Sequence, residues 1–367
     1  MFQGYIMNDF FCKDISTKYI ENITGNYEDI DFSMFKAQCY LNGVIYSCER
    51  IFKNGRNGLY FKRDDVEYHV EYGFNIEAED PRIFILNETV YIIFICLSPY
   101  ENQNRCIGIT TFNEWKPIFL QLQGVKKNVI EKNWAPFVKN NKLYIVYNYD
   151  PLVIIHYDFN EAGYCNKIFT QNKCNLPIKT EFTYLRGGSN LLPYKDDIYI
   201  GGCHSRIYKN DIFEHYCHII LLDTNKWELI YVSKPVAFNY DKNEKLNSFQ
   251  ISPNSFKELD TLNNILIDKS PYIIQDPVSL YFHHDKYFIT INVRDSVSLL
   301  YELTFDDSIM FLERDKPINF YDNLVFNMIN KSFQQSKTIA SDKKHTTNLL
   351  ITGIVYDTKM KMNFFHR

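Results

Sequence analysis

Glu79-Asp80-Pro81-Arg82 places two carboxylates, a rigid proline and a guanidinium directly ahead of the alternating apolar run Ile83-Phe84-Ile85. Proline fixes its own φ and biases the preceding residue toward extended geometry. Asp80 is therefore expected to stand stiffly at the entrance to a strand, beside a fixed positive charge. A carboxyl group so mounted suits a catalytic acid. It suits equally a structural ion pair with Arg82, and what the chain does at equivalent places decides between the two.

Those places are set by a recurring hairpin. Two short alternating runs flank a tight polar turn at Leu41-Asn42-Gly43, Asn87-Glu88, Lys139-Asn140-Asn141-Lys142, Tyr194-Lys195-Asp196-Asp197 and His283-His284-Asp285-Lys286. Asn-Gly between alternating runs is a strong hairpin signal. After most of these hairpins a third and a fourth apolar run follow, as in Cys106–Thr111 with Trp115–Leu122, and His218–Asp223 with Trp227–Val232. Four strands repeated every ~40–50 residues predict an all-β, five-bladed β-propeller, with a β-sandwich as the plainer alternative. The whole chain, 1–367, reads as one propeller domain with its core over about 30–315. Residues 239–269 read as an insertion and 316–367 as a C-terminal extension. Short helices are expected at the termini, over Ile15–Ile23 and within Asn319–Ser341. The apolar, β-branched run Asn348–Tyr356 is expected to help close the ring.

Composition narrows the function classes. With 46% apolar and 16% aromatic residues, a sizeable core is available and disorder is not expected over most of the length. A formal net charge of −4 argues against nucleic acid as partner. The longest apolar run, Val90–Leu97, is far short of the ~20 residues that span a bilayer, so no membrane partner is expected. Met1–Lys18 lacks the basic and apolar regions of a signal peptide. Nine cysteines, an odd number without a C-x-x-C pair, read as reduced core thiols in a cytoplasmic protein. The sequons at Asn22 and Asn87 are then idle. No glycine-rich nucleotide loop is present. His215, His218, His283 and His284 invite a metal, but no cysteine or carboxylate stands at ligand spacing beside them, and none is expected.

In a propeller the first strand of each blade lines the central channel. The residues entering those strands are Asp80 with Arg82, Lys132-Asn133-Trp134, Arg186-Gly187-Gly188-Ser189, and Gln275-Asp276-Pro277. A second ring follows from the ends of the next strands: Arg50, Tyr147-Asn148-Tyr149, His204-Ser205 and Arg294-Asp295. Polar groups converging on one axis form a site. Each also has a plainer reading. Trp134 can pack beneath a solvated loop, and the double glycine can serve a turn with φ > 0 or a close backbone approach. His204 can be a satisfied strand-end residue, and Asp295 can pair with Arg294.

Glu79-Asp80-Pro81-Arg82, Lys132 to Phe137, Arg186-Gly187-Gly188-Ser189, Gly202-Cys203-His204-Ser205, His218–Pro235 and Val293-Arg294-Asp295 give the chain a resemblance to a known family. Over Met34 to Asp306 it resembles the five-bladed glycosidase-phosphorylase family acting on β-mannosides, and the related β-1,2-mannan mannosyltransferase/phosphorylases. The resemblance implies an inverting mechanism with Asp80 as the single proton donor, acting through a sugar hydroxyl. It implies phosphate binding by Lys132, His204 and Arg105, and a grip on sugar hydroxyls by Asp295. Arg82, Asn133, Trp134 and Arg186 are the further candidates for substrate contact. Inorganic phosphate would be a co-substrate, with no other cofactor, and the partner an oligosaccharide or sugar phosphate. Gln275-Asp276-Pro277 departs from the family pattern, which is more apolar there. A phosphate nucleophile needs several fixed cations, which Lys132, Arg186, His204 and Arg105 supply. A hydrolase needs a second carboxylate as base, for which Glu79 and Asp276 are candidates. A non-catalytic propeller that binds glycans or a protein would need neither.

Overall fold

The computed structural model describes residues 14–64, 66–72, 75–97, 105–122, 131–161, 163–171, 185–209, 212–238, 274–293, 295 and 297–305. Among the described residues every regular element is a β-strand. The expected N-terminal helix is instead a strand, Ile15–Asn22 (β1). Ile15 is buried while Ile20 is 38% exposed, the alternation of a strand rather than the stripe of a helix. The C-terminal helix and the Asn348–Tyr356 strand fall outside the described residues.

The hairpins form where the polar turns predict them. Phe32–Leu41 (β2) pairs with Val44–Lys53 (β3), and Arg56–Arg63 (β4) and Val66–Tyr72 (β5) follow in one meander. Glu79–Leu86 (β6), Thr89–Leu97 (β7), Arg105–Thr111 (β8) and Ile118–Leu122 (β9) make the second unit. Ala135–Lys139 (β10), Lys142–Tyr149 (β11), Leu152–Tyr157 (β12) and Tyr164–Thr170 (β13) make the third. In the fourth, Leu185–Arg186 (β14) and Leu191–Lys195 (β15) both pair with Ile198–Lys209 (β16), followed by Ile212–Asp223 (β17) and Glu228–Val232 (β18). Gln275–His283 (β19), Lys286–Val293 (β20) and Val297–Phe305 (β21) begin the fifth. β1 completes that sheet by pairing antiparallel with β21, so the chain's two described ends share one sheet. The turns that join the first two strands of the first and third units carry left-handed residues, Asn42 and Gly43 at φ 51° and 87° and Asn140 and Asn141 at 51° and 55°. That is the geometry type I′ hairpins require.

The first strands of successive units touch in cyclic order. β2 packs on β6, β6 on β10, β10 on β15, β15 on β19, and β19 on β2. Apolar layers fill the spaces between adjacent sheets. One such layer sets Phe137, Tyr149 and Ile154 against Leu191, Cys203 and Ile220; another sets Ile219 and Leu221 against Leu280 and Ile291. At the outer edge β13 and β9 pair briefly in parallel, which joins the second and third sheets. The heads of the inner strands are thereby brought to one end of a common axis.

Candidate active site

The head of β6 is irregular. Pairing with β7 slips between Glu79 and Arg82, and Asp80 takes φ 47°. Asp80 is thus left-handed, not extended as the following proline suggested. A bulge here re-aims its side chain, and a left-handed aspartate is among the better tolerated non-glycine cases. The Asp80 carboxylate accepts a hydrogen bond from Arg50 Nη1 on β3 at 2.9 Å. Arg50 Nε donates to Asn57 Oδ1 at 2.9 Å, and its Nη2 lies 3.7 Å from Glu79 Oε2. Glu79 is further held by Arg105 and by Asn57 Nδ2 at 3.2 Å.

Arg82 is therefore not the partner of the Asp80 side chain. It is buried, and its Nη1 donates to the carbonyl oxygens of Asp80 and Pro81 at 3.2 and 3.0 Å. Its Nε donates to the Gly188 carbonyl in the fourth unit. These bonds tie the Asp80 backbone to the opposite side of the axis. Arg82 sits in the support of the site.

Lys132, Arg105 and Arg186 share one electrostatic neighbourhood with Asp80 and Glu79. Lys132 reaches solvent, yet the crowded protein around its head lowers its pKa below the usual lysine value, with Arg186 next in effect. Arg105 works in the same direction, and Asp80 and Glu79 against it. Cations close enough to depress one another favour an anion among them. Asn133 takes φ 64° just before β10, and its carbonyl lies where a Cβ on Gly187 would fall. A Cβ on Gly188 would meet the Pro277 ring at 2.5 Å and the Gly202 carbonyl at 2.6 Å. Neither Gly187 nor Gly188 has φ > 0. The pair serves close backbone packing, not a left-handed turn.

Trp134 is 2% exposed and belongs to the apolar layer between the second and third units. Its Nε1 donates to Glu131 Oε2 at 3.1 Å, and Tyr147 Oη donates to Glu131 Oε1 at 3.2 Å. Burial raises the Glu131 pKa above the usual range against both bonds. The indole thus packs beneath the Lys132 loop and is not turned to a ligand. Glu131 was missed in the sequence, since nothing in its local pattern sets it apart from a solvated loop acid.

His204 is 4% exposed and its Nδ1 lies 3.5 Å from Asp276 Oδ1. The same oxygen is 3.0 Å from His215 Nδ1, and the two imidazoles are 5.0 Å apart, centroid to centroid, at 21°. Burial pushes His204 down to about 3, so the ring is neutral. Burial alone would raise Asp276, but the adjoining imidazoles and Arg82 bring it down to about 2. A buried neutral ring against a carboxylate offers phosphate no positive charge, unlike the cation expected from the sequence. Three-dimensional convergence also overturns the spacing argument against a carboxylate near these histidines. His218 faces elsewhere, with Nε2 2.7 Å from Ser205 Oγ and Nδ1 2.8 Å from the Ser233 carbonyl. His283 packs against Tyr40 and His284 against His283 at the far end of β19.

Asp295 has φ 50° and an exposed outer edge. The protein crowded about its carboxyl, then the Asp276 and Asp80 carboxylates, raises its pKa to about 6, against the pull of Arg50. Arg294, its suggested partner, lies outside the described residues. Arg186 pairs with His204 in the β14–β16 ladder and so stands beside the same group. The structure thus gathers Asp80, Glu79, Arg50, Arg105, Lys132, Arg186 and Asp295 into one charged cluster, with Arg82 and Trp134 buried in its support.

A fold of successive β-meanders whose inner-strand heads carry clustered acids and cations is the class of protein these observations define. Comparison with known proteins agrees with it. The Beta-mannosyltransferases family model matches residues 101–215. Beta-mannosyltransferase 3 of Candida albicans is 30% identical over 189 residues, covering 44% of this chain and 34% of the relative. Beta-mannosyltransferase 2 of Komagataella phaffii is 26% identical over 122 residues, covering 31% of this chain and 18% of the relative. The chain thus spans well under half the length of the curated relatives it matches. Among solved structures, MPT-4, a mannose phosphorylase from Leishmania mexicana in complex with phosphate, superposes with a TM-score of 0.53 at 9% identity, covering 80% of this chain and 90% of that one. Beta-1,2-mannobiose phosphorylase from Listeria innocua gives 0.52 at 10% identity, covering 81% and 98%. These structural likenesses show a shared fold. The family model and the curated relatives support the resemblance read from the sequence on its β-mannosyltransferase side, and the solved structures support its fold.

Proposed function

We propose that this chain is a five-bladed β-propeller enzyme that moves a mannosyl group with inversion. It forms β-mannosides from mannose 1-phosphate, or runs the reverse phosphorolysis. The observation that carries this reading is the set of cations around Asp80: Arg50 on its carboxylate, with Lys132, Arg105 and Arg186 in the same neighbourhood. In the synthetic direction the acceptor oxygen bonds to C1 as the C1–phosphate oxygen bond breaks. The acceptor proton passes to Asp80, directly or through a sugar hydroxyl, and phosphate leaves among the cations. Phosphorolysis reverses each step, with Asp80 returning the proton to the glycosidic oxygen. In this reading Asp295, in the electrostatic reach of Asp80 and Arg50, holds sugar hydroxyls, and Asn133, next to Lys132, contacts substrate.

Hydrolysis is the weaker reading because both candidate bases are occupied. Glu79 is held by Arg105, Arg50 and Asn57, and Asp276 by the histidine pair. Neither is set to activate water. The test is to supply mannose 1-phosphate with mannose or short β-mannosides and follow phosphate release alongside product length. Matched phosphate release and chain growth is expected. Cleavage of β-mannosides in phosphate-free buffer, without synthesis, would overturn the reading in favour of a hydrolase.

A further inference from the structure

The histidine pair and Asp276 lie at the seam between the fourth and fifth units. His204 comes from β16, His215 from β17 and Asp276 from the head of β19. His215 also forms a lone parallel backbone bridge to Ile274, so the seam is fixed on both sides of the cluster. One ligand atom from each of the three residues lies within 4.8 Å of the others. The two distances to Asp276 Oδ1, 3.0 and 3.5 Å, bracket the ~3.3–3.4 Å edge of a tetrahedral site with bonds near 2.0–2.1 Å. The third edge, between one nitrogen of each imidazole, is no longer than 4.8 Å.

A second observation points to a ligand. Among the described residues, His204 Nδ1 is a buried polar atom with no hydrogen-bond partner. Asp276 Oδ1, 3.5 Å away, already bonds His215. Buried polar groups left over in this way call for an explanation, an unseen ion being one.

We propose that His204, His215 and Asp276 bind a divalent first-row transition cation of the zinc class. Two imidazoles and one carboxylate select such an ion over magnesium or calcium, which prefer oxygen-rich shells. Three protein ligands leave the remaining coordination for water or an oxygen of a bound molecule. Arg82 and Arg186 face the cluster as cations, and Asp295 lies beyond it as a carboxyl.

The full chain, stripped with a chelator and dialysed, is titrated with Zn²⁺ by calorimetry and with Co²⁺ by visible absorption. One equivalent of each ion is expected, with the d–d bands of a low-coordinate cobalt site and a rise in melting temperature. Asp276→Asn and His215→Gln, each checked for native circular dichroism, should weaken binding by at least ~10-fold. Failure of the native chain to take up a stoichiometric ion would overturn the proposal, as would uptake unchanged in both variants. Binding is read directly, so this result is independent of whether mannosyl transfer is observed.

Discussion

Replacing Arg50 by methionine asks whether Asp80 is mounted for chemistry or only pinned at a strand end. Methionine keeps an unbranched stem but removes the 2.9 Å bond to Asp80, the 3.7 Å pairing with Glu79 and the 2.9 Å bond to Asn57. A hydrogen bond to a charged group contributes ~1.5–3 kcal/mol. Arg105 remains on Glu79, and the Arg50 and Asp80 side chains are each 19% exposed, so the loss of stability falls near the low end, about 2 kcal/mol. For a domain of 367 residues that lowers the melting temperature by about 2–3 °C. The effect on rate is separate. If Arg50 orients Asp80 while the proton moves, the same ~1.5–3 kcal/mol slows kcat by about 10- to 150-fold. KM for the sugar should hardly change, because Arg50 touches the acid and not the sugar. In an Asp80→Asn background the Arg50 change should add little further loss of rate, since the two act as one unit. Initial rates of phosphate release and a thermal melt on the same preparations measure both quantities. A melt that drops while kcat stays within ~3-fold of native would refute the reasoning and leave the pair a structural ion bridge.

Gly188→Ala should destabilise by ~1–3 kcal/mol, because its Cβ would fall 2.5 Å from the Pro277 ring and 2.6 Å from the Gly202 carbonyl; an unchanged melting temperature would contradict this packing. Trp134→Phe removes the 3.1 Å bond to Glu131 and should cost ~1–2 kcal/mol while leaving KM nearly unchanged; a large rise in KM would return Trp134 to the sugar. Burial holds His218 neutral with a pKa of about 4, below its ordinary 6.5. The unfolded chain takes up that proton between pH 6.5 and 4 and the folded chain does not, so stability is full above the window and is lost as pH falls through it, by about 3 kcal/mol. Urea midpoints measured across this range should slope upward with pH, and His218→Asn should flatten the slope.

Turn chemistry and alternation made most of the architecture legible. Asn42-Gly43, Asn87-Glu88 and Asn140-Asn141 need left-handed backbone that their residue types supply, and that signal is local. Ile15–Ile23 misled because its apolar residues fit a helix by spacing alone. The partner that makes it a strand, β21, lies at the other end of the described chain. The inner-strand heads were legible as places, but their partners were not. Arg82 stands two residues from Asp80 and reads as its ion pair, yet the bulge turns the carboxylate to Arg50 on another sheet. The double glycine announced a special backbone, and only the structure shows that Asn133, Pro277 and Gly202 crowd against it. His204 and His215 meet because β16 and β17 pair in near register, and Asp276 reaches them from the next unit. Such groupings depend on strand pairing and sheet order, which no local spacing encodes.

The central claim is that the Asp80 carboxylate exchanges the proton during mannosyl transfer. The measurement that meets it most directly compares native chain with Asp80→Asn under saturating mannose 1-phosphate and acceptor, following phosphate release and product growth together. Loss of kcat by ~10²–10⁴-fold, with folding and sugar binding retained, is predicted. An asparagine variant that still transfers mannose at a rate close to native would contradict it.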